Sequence, residues 1–208
     1  MKNKRLLIPL LFAFALAGQA QAAAFQNGDF EFGNLESGSF TTLTAGSNAL
    51  TGWSIIGSVD WIHQYWSPSS GSRSLDLNGS GYGGVQQFFD TVAGQTYQVS
   101  FDLAGNPDVA TLKTMAVGVG NYAGVFQFDT TGRDRSNMGW QTHQISFIAQ
   151  GDTTVLTFAS LTDDGNVVWG PALDNVKVTA VPEPEGYAML GLGFAMVGLL
   201  ARRRGQGR

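Results

Sequence analysis

Along the middle of this 208-residue chain, apolar residues recur at every second position in short bursts, and no window shows a convincing 3.6-residue apolar repeat. A strand turns successive side chains to opposite faces, so a period of two marks a segment with one face on a core. In Gln95–Leu103, Tyr97, Val99, Phe101 and Leu103 share a face, and Gln98, Ser100 and Asp102 share the other. Ile145 and Phe147 pair in this way within Gln141–Ile148, Leu156 and Phe158 within Thr153–Ser160, and Val176 and Val178 within Ala172–Thr179. Further candidates are Trp53–Ile56, Val59–Ile62, Ser74–Asn78, Val85–Asp90, Leu112–Val119 and Val125–Phe128. Turn-forming runs such as Gly105-Asn106-Pro107 and Asp163-Asp164-Gly165-Asn166 separate them. About ten short strands so spaced predict an all-β fold, a two-sheet antiparallel sandwich of jelly-roll type. No internal repeat and no second domain is visible.

The two ends read differently. Lys2, Lys4 and Arg5 precede an apolar run from Leu6 to Ala17, and Ala20-Gln21-Ala22 offers a small-x-small cleavage site. That pattern predicts a secretory signal peptide over residues 1–24. At the other end, residues 181–208 read Val181-Pro182-Glu183-Pro184, an apolar stretch from Tyr187 to Ala201, then Arg202, Arg203 and Arg204. Arginines resist crossing a bilayer and stay cytoplasmic. The apolar stretch, fifteen residues at ~1.5 Å each, spans roughly 22 Å of a ~30 Å hydrocarbon core, a marginal transmembrane helix. This tail resembles the PEP-CTERM sorting signal. The resemblance implies transient membrane insertion and removal by an exosortase-type membrane peptidase, with Pro182, Glu183, Pro184 and Arg202 to Arg204 as its motif. An ordinary C-terminal anchor is the alternative. Either way, residues 25–180 are expected to form one exported β-sandwich domain, of a length typical for a single core.

Export has two consequences. The chain contains no cysteine, so its fold rests on core packing, with a bound metal as the available staple. Between Phe25 and Val181 only Arg73, Lys113, Arg133, Arg135 and Lys177 stand against fourteen acidic residues, leaving that segment near −9. Such a surface repels phosphate backbones, which excludes nucleic acid as a partner. Divalent cations and neutral glycans remain compatible with it.

Ordered blocks run through the domain: Asn27-Gly28-Asp29-Phe30-Glu31, Val59-Asp60-Trp61-Ile62, Arg73-Ser74-Leu75-Asp76-Leu77-Asn78-Gly79, Ser100-Phe101-Asp102-Leu103-Ala104-Gly105-Asn106-Pro107 and Gly170-Pro171-Ala172-Leu173-Asp174-Asn175-Val176. Together they resemble the choice-of-anchor C family, similar in turn to a domain of unknown function in plant cell-wall proteins and to galactose-binding-like sandwiches. The resemblance implies that fold and export, and little about activity.

Several patterns could carry chemistry. Gly79 to Gly84 contains a G-x-G-x-x-G match, but a strand follows where a dinucleotide site needs a helix, so it reads as a sandwich loop. With only His63 and His143 and no nucleophile elbow, a Ser-His-Asp site has little support. His143, in register with Ile145 and Phe147, reads as a partly buried, hydrogen-bonded strand residue. Asp60, Asp76, Asp102 and Asp129 could supply a glycosidase pair, but none is set apart by a motif. A structural calcium ion is the better-supported cofactor, because hard cations take several oxygens and Asp174 sits in apolar company at a core edge. Glu31 or Asp29 would join Asp174 in tying the first strand to the last; the competing reading has Asp174 capping a turn through backbone N–H groups. Asp163-Asp164-Gly165-Asn166 reads as a turn. Finally, Trp61, Tyr65 and Trp66, with Tyr82 further on, are interleaved with serine and glycine and offer faces on which sugar rings could stack; core packing is the alternative. Trp53, Trp140 and Trp169 are expected to be mostly buried.

These features predict a non-enzymatic protein of the cell surface or extracellular matrix, whose partner is a polysaccharide of an exopolysaccharide or biofilm matrix. A self-assembling surface or biofilm subunit and a carbohydrate-active hydrolase are the alternatives.

Overall fold

The computed structural model describes residues 24–34 and 38–182. The segments expected as a signal peptide (apart from Ala24) and as a transmembrane sorting helix, with Glu183, Pro184 and the arginine cluster, lie outside the described residues. Ten strands follow the alternating segments: β1 (Phe40–Thr44), β2 (Ser54–His63), β3 (Arg73–Asp76), β4 (Gly83–Asp90), β5 (Thr96–Gly105), β6 (Leu112–Val119), β7 (Tyr122–Asp129), β8 (Gln141–Ile148), β9 (Thr153–Ser160) and β10 (Pro171–Ala180). All pairings are antiparallel, in the order β7-β6-β9-β4-β2-β3-β10-β5-β8, with β1 added beside β2.

β2 belongs to both halves of this path. Ser54–Gly57 pairs with β4, whereas residues 58–62 pair with β1 and residues 60–63 with β3 as well. The two segments read as separate strands from sequence, Trp53–Ile56 and Val59–Ile62, are thus one strand. The change of sheet falls at Gly57, where φ is +59° and a Cβ would lie 2.3 Å from the Tyr82 carbonyl oxygen. Glycine alone meets both demands. The result is an all-β antiparallel sandwich, closed along the side where β2 crosses over.

Between the layers, Phe101 of β5 packs edge-on against Phe158 of β9 and Phe126 of β7, and Phe89 of β4 against Phe147 of β8. Trp61, Leu75, Leu103 and Leu173 occupy one cross-strand row and are fully buried. The adjacent residue on each of these four strands points to the opposite face: Asp60 opposes Asp76, and Asp102 opposes Asp174. Three of these four aspartates are buried, because loops cover this outer face.

Candidate functional site

The serine-rich loop between β2 and β3 closes over the aspartate face, and carboxylates hold it there. Asp174 accepts the backbone N–H groups of Ser69 and Ser70, both at 2.8 Å, and of Asn175 at 2.6 Å. Asp102 accepts the hydroxyls of Ser69 (2.5 Å) and Thr142 (2.6 Å) and the amide of Asn175 (2.9 Å). Glu31 takes the far end of the loop through the Ser72 N–H (2.6 Å), its hydroxyl (2.7 Å) and the Arg73 N–H (2.9 Å). Burial works to raise the Glu31 and Asp102 carboxyls, but these donors outweigh it and hold both below the usual range. Burial does win at Asp174, pushing it up to about 7 despite its three N–H donors.

The expected calcium ligands therefore have another duty. Glu31 and Asp174 clamp one loop from two ends, and Asp29 lines a different depression with Phe32, Ser70 and Lys177. Among the described residues no three His, Cys, Asp or Glu side chains gather to hold a metal. The turn-capping reading of Asp174 describes its contacts.

The aromatic platform expected at Trp61, Tyr65 and Trp66 needs a similar correction. Trp61 lies on the inner face of β2, where its indole donates to the Phe30 carbonyl at 2.9 Å and Arg73 covers its ring at 4.7 Å. Trp66 is buried beneath the loop and donates to the Ser74 hydroxyl at 2.8 Å. Neither ring is free to stack on a sugar. Tyr82 is 44% exposed but lines a separate depression with Ser160, Leu161 and Asp163. Tyr65 lines a polar pocket on the outer face of the sheet that the other three do not reach. Of the remaining tryptophans, Trp53 is buried, and Trp140 and Trp169 are partly buried, with Trp169 lining that pocket.

That pocket, ≈ 270 Å³, lies on the outer face of β1, β2 and β3. Asp60, Asp76 and Asn106 supply its polar lining, and Phe40, Tyr65 and Trp169 its aromatic walls. Asp76 sits on its floor, 1% exposed; its Oδ1 accepts the N–H groups of Asn78 and Gly170 (both 2.9 Å), and its Oδ2 the Asn106 amide (2.8 Å). Burial nevertheless pushes the Asp76 carboxyl up to about 8, with the facing Asp60 adding to the rise. Asp60 is also raised by burial, partly offset by the Thr42 hydroxyl at 2.5 Å. Two flanking contacts set the walls. Arg135 forks onto Asp108 (2.8 and 2.7 Å) and lies 3.9 Å over the Tyr65 ring, while the Tyr65 hydroxyl donates to Asp108 at 2.6 Å. On the other side, Asp164 binds the buried ammonium of Lys113 (2.7 Å) and the Thr111 hydroxyl (2.7 Å), pinning the loop that carries Trp169.

The sequence held signals for this pocket in three ordered blocks, around Asp60, Asp76 and Asn106, but nothing in the spacing showed that they converge. His143 is, as expected, partly buried on β8, against the Phe101 and Phe126 rings, but its Nε2 is buried without the expected hydrogen bond among the described residues.

Comparisons with known proteins follow this geometry. Halomucin of Haloquadratum walsbyi is 32% identical over 189 residues, which is 86% of this chain and 2% of halomucin. The Arabidopsis thaliana protein DUF642 L-galactono-1,4-lactone-responsive gene 2 is 26% identical over 174 residues, 76% of this chain and 46% of the plant protein. The chain thus spans less than half the length of either relative. Among solved structures, a family 35 carbohydrate-binding module from Clostridium thermocellum aligns with a TM-score of 0.47 and 14% identity over 68% of this chain and 99% of that one. TmCBM61 in complex with β-1,4-galactotriose also gives 0.47 and 14%, over 76% and 99%. Likeness at this level transfers no ligand-binding residue. The resemblances to the choice-of-anchor C family and to the PEP-CTERM signal are corrected by the family model that does match, described as a protein of unknown function (DUF642), over residues 23–179. With that match covering most of its length, the chain belongs to the DUF642 family.

Proposed function

We propose that this domain is a non-catalytic glycan-binding module of galactose-binding-like jelly-roll type, carried by an exported protein and engaging a polysaccharide of the cell surface or extracellular matrix. One observation carries the reading: the pocket on β1–β3 joins convergent hydrogen-bonding groups, Asp60, Asp76 and Asn106, to the rings of Phe40, Tyr65 and Trp169. A sugar offers hydroxyls at its rim and C–H faces above and below, and this combination of polar floor and flat apolar walls is what such a ligand requires. The volume, ≈ 270 Å³, lies just under the ~300 Å³ at which pockets for drug-sized ligands begin, which suits one sugar unit at a time.

The non-catalytic reading is supported by the placement of the two carboxyls that line the pocket: Asp60 and Asp76 are direct cross-strand partners on one sheet face, whereas hydrolysis needs two carboxyls flanking the scissile bond. The export expected from the Lys2–Ala24 segment would bring the domain to such polymers. Affinity electrophoresis through gels containing neutral, acidic and amine-bearing polysaccharides tests the reading. Retardation by at least one polymer, with no reducing ends released, is expected; unretarded migration in every gel contradicts it.

A further inference from the structure

The pocket has an imbalance that neutral sugars do not resolve. Asp60 and Asp76 face each other as direct partners on neighbouring antiparallel strands, a position in which like charges destabilise a sheet. A buried carboxyl is either paired with a cation or metal or kept protonated, as burial keeps Asp76, and a bound cation would displace that proton. Among the described residues the ion pairs are Arg73 with Glu31, Lys113 with Asp164 and Arg135 with Asp108, and none involves this facing pair. Asn78, also fully buried, adds a second oddity: neither its Oδ1 nor its Nδ2 has a hydrogen-bond partner. Its oxygen and Asp76 Oδ1 both lie against Gly170, 2.7 and 2.6 Å from where a Cβ would stand, beneath the pocket and not on its lining. The lining itself offers the free acceptor positions of Asp60 and Asp76.

We propose that this pocket receives the protonated amine of an amino-sugar unit, with the carboxyls of Asp60 and Asp76 accepting from the ammonium and Trp169 and Tyr65 flanking the ring. The inference rests on the glycan-binding reading of the same pocket and narrows it to a ligand class. An ammonium carries three N–H donors and no acceptor, which matches a floor of oxygens. Among the described residues the Asp60 Oδ2 accepts no hydrogen bond, and Asp76 Oδ2 accepts only one, so acceptor capacity remains. The aromatic walls stabilise a cation further through their ring faces. A divalent ion fits less well, because it takes six to eight oxygens and no trio of acidic or histidine side chains is gathered here.

The test is calorimetric titration of the purified protein at pH 6 with two oligosaccharides of equal length and linkage, a chitosan hexamer and its fully N-acetylated chitin counterpart. The amine-bearing oligomer is expected to bind at least tenfold more tightly, and Asp60→Asn to bring the two within about twofold while the melting transition stays two-state. Should that variant fail to fold, the wild type is titrated with glucosamine against glucose, where the same tenfold preference is expected. Equal binding of the paired ligands overturns the amine assignment and leaves glycan binding standing. Heat from calcium chloride that disappears in Asp60→Asn overturns it in favour of a metal. Binding of neither oligomer, together with unretarded migration in every polysaccharide gel, removes both readings.

Discussion

Asp174 shows how one side chain settles the path of a loop. Its carboxyl gathers three backbone N–H groups, two of them from Ser69 and Ser70, more than a hundred residues earlier in the chain. Removing an acceptor leaves each buried donor unsatisfied, at about 1–3 kcal/mol apiece before relaxation. Asp174→Ala is therefore expected to lower stability by about 2–4 kcal/mol in urea denaturation. A loss below about 0.5 kcal/mol, the range of an ordinary surface change, would mean the loop is held by other contacts. Trp169 acts on the ligand side instead. Being partly exposed at the mouth, it is expected on replacement by Ala to abolish retardation in polysaccharide gels while leaving the melting temperature within a few degrees of wild type.

At the scale of elements, the alternation of apolar residues legibly marked nine of the ten strands, because burial on one face imposes the period that the sequence shows. β1 escaped notice: Phe40–Thr44 carries only one buried residue, Leu43, and its exposed Phe40 and Thr42 line the pocket. β2 was split in two because Gly57 interrupts its pattern, and the interruption is the corner between sheets. The same glycine supplies a test. An added methyl meets both a positive φ and the Tyr82 carbonyl at 2.3 Å, so Gly57→Ala should cost at least about 2 kcal/mol, measured by thermal unfolding. The candidate site was harder to read than the strands. Face assignment depends on strand parity: Trp61 points inward and Asp60 outward, so the eye-catching aromatic entered the core and its plain neighbour reached the ligand pocket. Convergence of Asp60, Asp76, Asn106 and Trp169 comes from sheet register and loop closure, which local composition does not encode.

For the whole molecule, the aspartate face makes stability depend on pH in two opposite ways. Asp76 and Asp174 have carboxyls raised from 3.8 to about 8 and about 7. The folded state therefore binds protons that the unfolded state has released across that interval, and stability must fall as pH rises from roughly 4 toward 8. Below 3.8 these two groups are protonated in both states and their contribution is fully present. Glu31, Asp102, Asp108 and Asp164 are shifted the other way by their donors, so their contribution is lost on acidification below the usual carboxylate range. A mildly acidic optimum follows, with the melting temperature declining toward pH 8. Asp76→Asn should flatten that decline. A melting temperature that climbs steadily from pH 5 to pH 8 would refute the assignment of raised carboxyls.

Glycan engagement at the β1–β3 face is most directly read by nuclear magnetic resonance of the labelled protein during titration with a polysaccharide fragment that retards it. Concerted shifts are predicted for the Trp169 indole N–H, the Asn106 amide and the backbone of Thr42 and Asp60, with the buried indoles of Trp61 and Trp66 unmoved. Shifts confined to the Tyr82 depression or to the far sheet, with these four resonances still, would contradict the account.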